Sequence, residues 1–484
     1  MTRQRMLDLA AARDSRYDGR FLTGVLSTGI FCLPSCPARK PRPENVRFFF
    51  SPEAAGSAGL RACQRCRPDL FYQQRDPELE ALEALVAAVR RAPEAFVDVD
   101  AVAAAAGFGR SKLHRLMRRH YHASPAALLQ AARIVRAREL LRTSSWRILD
   151  VGLEVGYESE SAFHDNFLRT NGLSPGAYRR MTQGREFVLQ LPSDFNAAAT
   201  WRYLSRDSES ATECVDAKRG RAWRVLRHGR RRVVVELEQR DGDLAVRAVA
   251  AGPVSPETMS VLHDQLWRWL GLGIEARAFE RRMARQKGWA HLVRGQRGLR
   301  IPQTPTVFEG LVWAIVGQQV NLAFAYRLRR QLAELCQQPL GDGLRAHPTA
   351  AEVARLDYSD LTRRQFSRRK AEYLIDAARL VADRQWTPEE LPGRAASRAG
   401  AELAAIRGVG EWTQQYVLMR SCGFADCVPV GDAGLVKALE RFHGLAERPN
   451  PAATRDLMQP LTPYRSLATA HLWASLDQSR GGAT

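Results

Sequence analysis

The pattern of apolar and polar positions divides the chain into four segments of different texture. The first, to about Phe71, shows few helical patterns and holds four prolines between residues 34 and 43, which is typical of a loop. The second, about 76–181, has leucine and valine at helical spacing. It begins with Asp76-Pro77, a pair that predicts a helix N-terminus. The pattern therefore predicts a small irregular module followed by a helical domain.

The third and fourth segments differ in the spacing of their apolar residues along the chain. The third, about 187–300, contains VVVELEQRDGDLAVRAVA, in which two alternating stretches flank Asp241-Gly242-Asp243 and predict a β-hairpin. The fourth, about 301–476, is helical again and is punctuated by glycines. At about 100–200 residues per domain, 484 residues suggest three or four domains. We place the domains at 1–75, 76–182, 187–300 and 301–480.

A weak internal repeat lies within the helical second segment. GFGRSKLHRLMRRHYHASPAALL begins at Gly107 and GYESESAFHDNFLRTNGLSPGAY at Gly156, and each ends in a Ser-Pro helix cap. Two helix-turn-helix units joined by a long helix over 126–142 would give this pattern, each placing its second helix in the major groove. A plain helical bundle with a solvated basic face is the alternative. The first such helix carries the DNA-contact candidates Arg110, Lys112, His114, Arg115, Arg118 and Arg119.

Residues 97–181 resemble the AraC-type double helix-turn-helix domain. The stretch ILDVGLEVGYESESAFHDNFLRTNGLSPGAYRR matches that family's second motif nearly throughout. The resemblance implies an all-α domain that binds promoter DNA. Because the second recognition helix carries Glu158, Glu160 and Asp165, we expect the first helix to dominate the contact with DNA.

The charge balance adds a polyanionic partner to this picture. There are 72 Lys and Arg against 52 Asp and Glu, a net charge of +20, and nucleic acid is the commonest partner of such an excess. Arginine outnumbers lysine 66 to 6, which is typical of a GC-rich genome but does not explain the basic excess. No apolar run approaches the about 18 residues of a membrane span, and the arginine-rich start lacks a signal peptide's apolar core. We therefore expect a soluble protein of the cytoplasm that associates with the nucleoid.

Four of the eight cysteines form two close pairs. Cys32 and Cys36 are spaced C-x3-C, and Cys63 and Cys66 are spaced C-x2-C. Two such pairs separated by a loop suit tetrahedral thiolate coordination of zinc. The segment is too short to bury much core, so metal binding would supply much of its folding free energy. The sequence therefore predicts one Zn²⁺ in the N-terminal module, and a purely structural zinc knuckle is the simplest role for it.

The surroundings of these cysteines, TGIFCLPSC…ENVRFF…CQRCRPD, resemble the methyl-acceptor domain of Ada-type alkylation-response regulators over about residues 10–70. The resemblance implies that Cys32 is a zinc-bound nucleophile, which takes the methyl group of a DNA methylphosphotriester once per molecule. We expect Arg39, Lys40 and Arg42 of this module to contact DNA once methylation of Cys32 has lowered the negative charge of the zinc site. Those regulators often carry a second alkyltransferase with a Pro-Cys-His-Arg motif. That motif is missing here, so we do not expect repair of O6-methylguanine.

The C-terminal segment contains a candidate DNA-backbone clamp. LAAIRGVGEWTQQYVLMR predicts a helix, a tight turn at Gly408 and Gly410, and a second helix from near Glu411, a helix-hairpin-helix. Asp432 follows Trp412 by twenty residues. This spacing resembles the helix-hairpin-helix DNA glycosylases. FEGLVWAIVGQQVNLAFAYRL and YRSLATAHLW fit the AlkA-type 3-methyladenine branch, over about 187–478.

The glycosylase resemblance implies roles for particular residues. Asp432 would be the catalytic carboxylate, a buried anion that stabilises the oxocarbenium-like sugar while the flipped base leaves. Core packing is the alternative role for each aromatic residue, and a helix N-cap is the alternative for Asp432. The candidates for stacking on the electron-poor base are Trp412, Tyr416 and Trp473, with Tyr203 as a weaker one.

Two departures from related glycosylases refine the expectation. Trp412 stands where lyase-type relatives place a Schiff-base lysine, so we expect no strand cleavage. Cys422 and Cys427 have no further cysteines to form an iron–sulfur loop. At the Gly-Gln-x turn of Gln318 and Gln319, Gln319 takes the place of the family's apolar wedge, so flipping or substrate range is expected to differ. The resemblance also allows a monovalent cation at the hairpin.

Together these observations predict a multidomain α+β protein: a zinc-bound α/β module, an all-α double helix-turn-helix, a β-rich domain and an all-α glycosylase domain. We expect an alkylation sensor, transcription activator and monofunctional 3-methyladenine DNA glycosylase. Its partners would be alkylated and promoter DNA, and RNA polymerase during activation. The competing hypothesis is a transcription factor with structural zinc and an inactive glycosylase scaffold.

Overall fold

The computed structural model describes residues 1–73, 75–250, 252–340 and 343–481, and divides into compact units over 1–85 and 86–484. The first unit contains α1 (Arg3–Ala11), β1 (Leu22–Val25), β2 (Ile30–Cys32), β3 (Val46–Phe49), α2 (Pro52–Ser57), β4 (Arg61–Ala62) and α3 (Pro68–Tyr72). Its sheet has the order β3-β1-β2-β4. Strand β1 is antiparallel to both neighbours, and β2 is parallel to β4. The small α/β module predicted from the sequence is confirmed.

The parallel pair places the two cysteine pairs together. Strand β2 ends at Cys32, β4 ends immediately before Cys63, and the Cys63 amide donates to Phe31 O at 3.0 Å. Parallel strands end at the same edge of a sheet, so both cysteine pairs lie at that edge. Helix α1 was not predicted, although Thr2 caps it and Met6 and Leu9 are buried along it. The apolar clusters around this sheet are small: one contains Leu22, Phe31, Leu33, Phe49, Ala55 and Leu60, and another contains Met6, Leu9, Ala10 and Phe21.

The helical region has the predicted double helix-turn-helix order. Its helices are α4 (Pro77–Arg91), α5 (Val99–Ala105), α6 (Arg110–His120), α7 (Pro125–Thr143), α8 (Ile148–Glu154), α9 (Glu160–Asn171) and α10 (Pro175–Gln183). Ser124 and Ser174 cap α7 and α10 through their hydroxyls, as the Ser-Pro pairs predicted. The Asp76 carboxylate likewise accepts from the first amides of α4. The helix starts expected from capping chemistry are thus confirmed.

A five-stranded antiparallel sheet follows, with the order β5-β9-β8-β7-β6. Its elements are β5 (Glu186–Gln190), α11 (Ala197–Leu204), β6 (Glu213–Asp216), β7 (Arg221–His228), β8 (Arg231–Arg240), β9 (Asp243–Val249) and α12 (Pro256–Trp269). The predicted hairpin is confirmed: Arg240 pairs with Asp243 across the turn, and Asp241 and Gly242 both have positive φ. Two consecutive positive φ angles suit the twist of a two-residue hairpin turn.

The remaining helices form the C-terminal domain around a second core, which includes Leu311, Ile315, Leu374, Val417 and Leu439. They are α13 (Ala276–Arg285), α14 (Val307–Gly317), α15 (Leu322–Cys336), α16 (Ala350–Val353), α17 (Tyr358–Thr362), α18 (Arg368–Ala382), α19 (Ala396–Ala404), α20 (Glu411–Arg420), α21 (Ala433–His443), α22 (Pro451–Met458) and α23 (Arg465–Gly481). Among the described residues, none of the helices is long and apolar enough to cross a bilayer.

The helix-turn-helix region and the sheet share one hydrophobic core. Residues from α7, α9 and α10 pack with the inner face of the sheet and with α12. The buried side chains are Ile134, Ala137, Leu141, Phe163, Phe167, Tyr178, Leu189, Val233, Val235, Leu237, Leu244, Val246, Met259, Leu262 and Leu266. Because apolar burial is the main stabilising contribution to folding, these two regions stabilise each other.

Polar contacts cross the same interface. Arg138 on α7 donates to the Tyr178 hydroxyl at 3.0 Å and forms an ion pair with Asp264 of α12. His263 donates from Nε2 to Asn171 O, at 2.8 Å, and is 1% exposed. A buried carbonyl without a donor would be destabilising, so this bond fixes how α9 ends against α12.

The first helix-turn-helix unit contacts the C-terminal domain through His122. Its Nδ1 accepts the Asp426 amide at 3.2 Å, and its ring meets Phe424 edge-on. Burial lowers the pKa of His122 to about 4, so the ring is neutral and can accept this bond at neutral pH. The helix-turn-helix region and the C-terminal domain are therefore packed within one unit.

Truncating Phe167 on α9 should destabilise the sheet as well as the helices. Phe167 is fully buried in the shared core, and Phe167→Ala is expected to lower the free energy of unfolding by about 3–5 kcal/mol. Hydrogen exchange of β8 and α12 should rise with that of α9. Leu113→Ala on α6, buried outside this core, is the control and should spare the sheet. Unchanged protection of β8 in Phe167→Ala would show that the two regions fold separately.

Candidate functional site

The N-terminal unit holds a candidate metal centre at the edge where β2 and β4 end. The Sγ atoms of Cys32, Cys36, Cys63 and Cys66 all lie within 4.8 Å of one another, and those of Cys36 and Cys63 are 3.9 Å apart. Four thiolates at the usual Zn–S distance of about 2.3 Å stand about 3.8 Å apart. The cluster therefore has the size of a tetrahedral zinc site.

The protonation of the thiols favours a cation here. Burial and the neighbouring sulfurs raise the pKa of Cys36, and four thiolates this close together would repel one another without a positive charge among them. Zn²⁺ supplies that charge and displaces the protons. Among the described residues, this is the one group of three or more metal-ligating side chains.

The loop that carries Cys32 and Cys36 is held by two polar anchors. Ser35 donates its amide and its hydroxyl to Asp18, at 3.1 and 2.6 Å. Lys40 donates to Pro34 O and Cys36 O, each at 3.2 Å. Lys40, expected to contact DNA, thus supports the metal loop, and Arg39 beside it is exposed.

Access to sulfur differs among the four cysteines. Cys32 is 9% exposed and Cys36 2%, whereas Cys66 is more open. The Cys66 sulfur also accepts the Leu33 amide at 3.4 Å, a bond that withdraws electron density from that sulfur. Exposure alone would favour Cys66 as the reactive thiolate. The hydrogen bond from the Leu33 amide lowers the electron density on the Cys66 sulfur, and the role of Cys32 as the nucleophile stays a prediction.

The second candidate site is built around Asp432, the N-cap of α21. One carboxylate oxygen accepts the Leu435 amide at 2.8 Å and Trp473 Nε1 at 2.9 Å, and the other accepts Trp412 Nε1 at 3.1 Å. Three N–H donors from α20, α21 and α23 fix the orientation of this anion. Asp432 was expected to be buried, but it is only partly so, because its position at the helix N-terminus opens onto a cleft.

The predicted aromatic residues gather around this carboxylate. The rings of Trp412 and Tyr416 stack with centroids 5.2 Å apart, and Trp473 lies 6.3 Å from Tyr416. Tyr416 is 8% exposed and accepts Trp313 Nε1 at 2.7 Å. Burial raises the pKa of Tyr416 to about 12, so it remains a neutral phenol. The indole N–H groups of Trp412 and Trp473 hold the Asp432 carboxylate in place, an orienting role that the sequence did not predict.

Tyr203 lies in a different cavity from the Asp432 cleft. The second cavity, about 800 Å³, is lined by both Tyr203 and Trp473, whereas Trp412 lines the Asp432 cleft. The guanidinium carbons of Arg206 and Arg420 each lie 4.6 Å from the Tyr203 ring centroid. Two cations already lie over this ring, which leaves it poorly suited to stacking on a base.

The Asp432 cleft, about 1010 Å³, brings the hairpin and the Gly-Gln-x turn together. Gln318 donates from Nε2 to Gly408 O at 2.9 Å and to Thr413 Oγ1 at 3.0 Å, which joins turn and hairpin. Gly408 has φ +87°, and a Cβ there would lie 2.3 Å from the Tyr373 ring, so only glycine fits. Gly410 faces open space at the start of α20, and the exposed Gln319 has φ +54°.

The predicted DNA face of the helix-turn-helix is only partly free. Arg115 and Arg119 are exposed on α6 and Arg118 is partly so, whereas Arg110 forms an ion pair with Asp100 of α5. The Lys112 ammonium lies 4.9 Å from the centre of the Phe108 ring. Arg110 would have to leave Asp100 to reach phosphate, so Arg115 is the clearer candidate.

Comparison with known proteins matches three family models in order along the chain. They are the "metal binding domain of Ada" over residues 5–69, a "helix-turn-helix domain" over 102–181, and the "HhH-GPD superfamily base excision DNA repair protein" over 312–463. A Mycobacterium tuberculosis protein named "probable bifunctional transcriptional activator/DNA repair enzyme AlkA" is 30% identical over 497 residues. The alignment covers 96% of this chain and 95% of the relative.

The chain belongs to the family of bifunctional AlkA transcriptional activators and DNA repair enzymes.

Two further relatives correspond to its two halves. The Escherichia coli "bifunctional transcriptional activator/DNA repair enzyme Ada" is 33% identical over 169 residues, 35% of this chain and 46% of that protein. A 3-methyladenine DNA-glycosylase from Archaeoglobus fulgidus shares the fold with a TM-score of 0.52 and 20% identity, covering 59% of this chain and 97% of that one. The predicted multidomain fold class and the family resemblance are confirmed.

This AlkA-type activator and repair enzyme therefore combines a zinc-binding domain of the Ada type, a DNA-binding helix-turn-helix and a base excision repair domain. Three further residues near Tyr203 and Tyr416 were not indicated by the sequence: Trp313, Tyr326 and Arg420. Arg420 lies one helical turn after Tyr416 on α20, a spacing that could have indicated it. Trp313 and Tyr326 meet only through the packing of α14 on α15.

Elemental analysis of this AlkA-family protein should find one zinc per chain. Cys66→Ala is expected to release the metal and to raise proteolysis within residues 1–73, because that unit has a small core. The C-terminal domain, with its own core, should keep its melting temperature. Cys214→Ala, an exposed cysteine outside the cluster, is the control and should retain full zinc. Two zinc ions, or iron, would contradict the four-thiolate site.

Proposed function

We propose that the protein repairs alkylated DNA by two separate reactions and uses the first as a transcriptional signal. The C-terminal domain hydrolyses the glycosidic bond of N-alkylated purines, and the N-terminal unit takes methyl groups from DNA methylphosphotriesters. The observation that supports the glycosylase assignment best is the Asp432 carboxylate, oriented by three N–H donors in the cleft shared with the hairpin and the turn. An inactive scaffold would not need this arrangement.

In the proposed hydrolysis, the flipped base leaves as the C1′–N bond breaks. An N-alkylated purine carries a positive charge and departs neutral, so positive charge passes to the sugar. The ionised Asp432 stabilises that charge and orients the attacking water. The rings of Trp412 and Tyr416 would stack on the electron-poor base with about 0.5–2 kcal/mol per contact, and Trp473 would complete the pocket from the adjoining cavity that it lines. Tyr203 would border the pocket from the adjoining cavity.

The reaction would be monofunctional. Trp412, at the place of the lyase lysine, has no amine for a Schiff base, and its N–H is committed to Asp432. The abasic product would therefore remain uncut. A monovalent cation at the hairpin stays a prediction. The Gly408 carbonyl, one of its potential oxygen ligands, already accepts Gln318.

In the proposed methyl transfer, the Cys32 thiolate attacks the methyl carbon of a phosphotriester. The S–C bond forms as the C–O bond breaks, and the phosphate diester leaves as an anion, so no general base is needed. Zinc keeps the sulfur deprotonated, and four thiolates give the site a net charge of −2. The product is a thioether, so each molecule reacts once. RNA polymerase is the partner proposed for the activated state.

The two reactions should be separable by substitution. Asp432→Asn turns an amide N–H toward one of its donors and removes the charge, so we expect excision to slow by at least ~10² while methyl uptake persists. Cys32→Ala should do the reverse. Release of free base and radioactive methyl uptake measure the two reactions. Asp383→Asn, at the exposed end of α18, and Cys214→Ala are matched controls.

Near-normal excision by Asp432→Asn would remove the catalytic assignment. Peptide mass spectrometry after methyl uptake decides between the sulfurs: a methyl group on Cys66 instead of Cys32 would overturn the nucleophile assignment.

Methylation of Cys32 should raise the affinity of the protein for DNA. Conversion of one thiolate to a thioether halves the negative charge of the zinc site, so its repulsion from phosphate falls and the exposed Arg39 can contribute to binding. We expect a gain of about 5–150-fold, shrinking as salt rises. The full chain should be used, because the helix-turn-helix shares its core with the sheet. Equal affinities before and after methylation at low and moderate salt would leave methyl uptake as repair alone.

A further inference from the structure

Lys370 is a buried cation that the proposed reactions do not use. It lies in the first turn of α18, after the exposed Arg368 and Arg369, and is itself only 9% exposed. Within the described parts of the chain it has no carboxylate in ion-pair range. Burial alone lowers its pKa to about 8. A buried ammonium without a counter-ion is unfavourable unless its hydrogen bonds are satisfied, so its surroundings should show what it does.

The three hydrogen bonds of the Lys370 ammonium all go to carbonyl oxygens in one short segment of the backbone. The ammonium donates to Ile315 O at 3.3 Å, to Val316 O at 2.5 Å and to Gln318 O at 2.7 Å. These carbonyls belong to the end of α14 and the turn after it. The last carbonyls of a helix lack intrahelical partners and carry the negative end of its dipole, so they suit a cation. Lys370 is therefore a cap for α14 that comes from another helix.

The capped segment leads directly into the turn at residues 318–321. Gln319 stands at its apex with φ +54°, a left-handed conformation that is unfavourable for a side chain other than glycine. Such a residue persists only where the surroundings hold it. Gln318 anchors one side of the turn to the hairpin, and Lys370 holds the backbone on the other side. The apex side chain stays exposed at the mouth of the Asp432 cleft.

Helix α18 supports the hairpin as well. Tyr373 lies one turn after Lys370, and its ring fills the space where Gly408 lacks a Cβ. One helix thus supports both elements that line the cleft: Lys370 holds the turn, and Tyr373 underlies the hairpin. Because Lys370 and Tyr373 are one turn apart on the same helix, they fix the position of the 318–321 turn relative to the hairpin.

We propose that Lys370 is a positioning residue, which holds the 318–321 turn in the shape that lets Gln319 enter the DNA stack while the target base leaves it. The inference rests on the proposed base excision. An element that replaces a flipped base must resist the restacking of the duplex, and a turn free to relax would lose that resistance. Lys370 therefore acts on flipping and leaves the bond-breaking step to Asp432.

The test compares two DNA duplexes that differ in the free energy needed to flip the target base. Each carries one 7-methylguanine, placed opposite cytosine in the first and opposite an abasic site in the second, where unpairing requires less free energy. Lys370→Met keeps the aliphatic stem and removes the charge. Under single-turnover conditions we expect it to slow excision about 10–10²-fold from the paired duplex and less than about 3-fold from the unpaired one. Lys218→Met, on an exposed turn of the sheet, should match the wild type on both.

Two variants make the result decisive. If Lys370 acts through the turn, Lys370→Met combined with Gln319→Ala should be no slower than Gln319→Ala alone on the paired duplex. Lys370→Arg, whose guanidinium can also donate to carbonyls, should restore part of the rate and provides the test if Lys370→Met does not fold. Equal losses on both duplexes, or additive losses in the double variant, would overturn the positioning role. Absence of excision by the wild-type chain would overturn the proposed function instead.

Discussion

The catalytic half of this protein depends on one carboxylate that links three helices through hydrogen bonds. Asp432 caps α21 and accepts indole N–H groups from α20 and α23, so its ionised form has a donor for both oxygens. A carboxylate that accepts several N–H bonds is held in one orientation. The same bonds turn the edges of Trp412 and Trp473 toward the carboxylate, while one face of Trp412 stacks on Tyr416. In the proposed excision, base recognition and charge stabilisation would therefore depend on a single geometry.

A second constraint is the shared core between regulator and repair domain. Tyr178 and Phe167 pack against α12 and the sheet, and Arg138 bridges α7 to Asp264. Such an interface resembles the interior of a domain more than a linker between independent modules. The first helix-turn-helix unit adds the His122–Asp426 contact. The helix-turn-helix region and the helix-hairpin-helix therefore belong to one folded unit. A substitution that destabilises one part of its core should also destabilise the other part.

The N-terminal unit is stabilised in a different way. Its apolar core is small, and its two cysteine pairs meet because β2 and β4 run parallel and end at the same edge. Here a metal replaces apolar burial as the organising interaction. This difference suits the proposed methyl transfer, in which a thiolate held by zinc would be both a structural ligand and the nucleophile. In the C-terminal half, by contrast, the carboxylate proposed to act in excision is held by protein N–H groups.

The sequence alone determined the features that rest on local chemistry. Ser-Pro pairs predicted the helix starts, alternation around Asp241-Gly242 predicted the hairpin, and cysteine spacing predicted a metal site whose four sulfurs the structure brings together. The spacing of Asp432 from the hairpin was also enough to find the candidate catalytic carboxylate. What it could not determine were contacts between residues far apart in the chain. The shared core, the indole bonds to Asp432 and the position of Tyr203 in a separate cavity all depend on how helices pack. Lys370 shows the reason. In the sequence it is the last residue of the basic stretch SRRK, which does not distinguish it from the two arginines before it. Only the packing of α18 against α14 turns Lys370 inward, where its ammonium caps another helix.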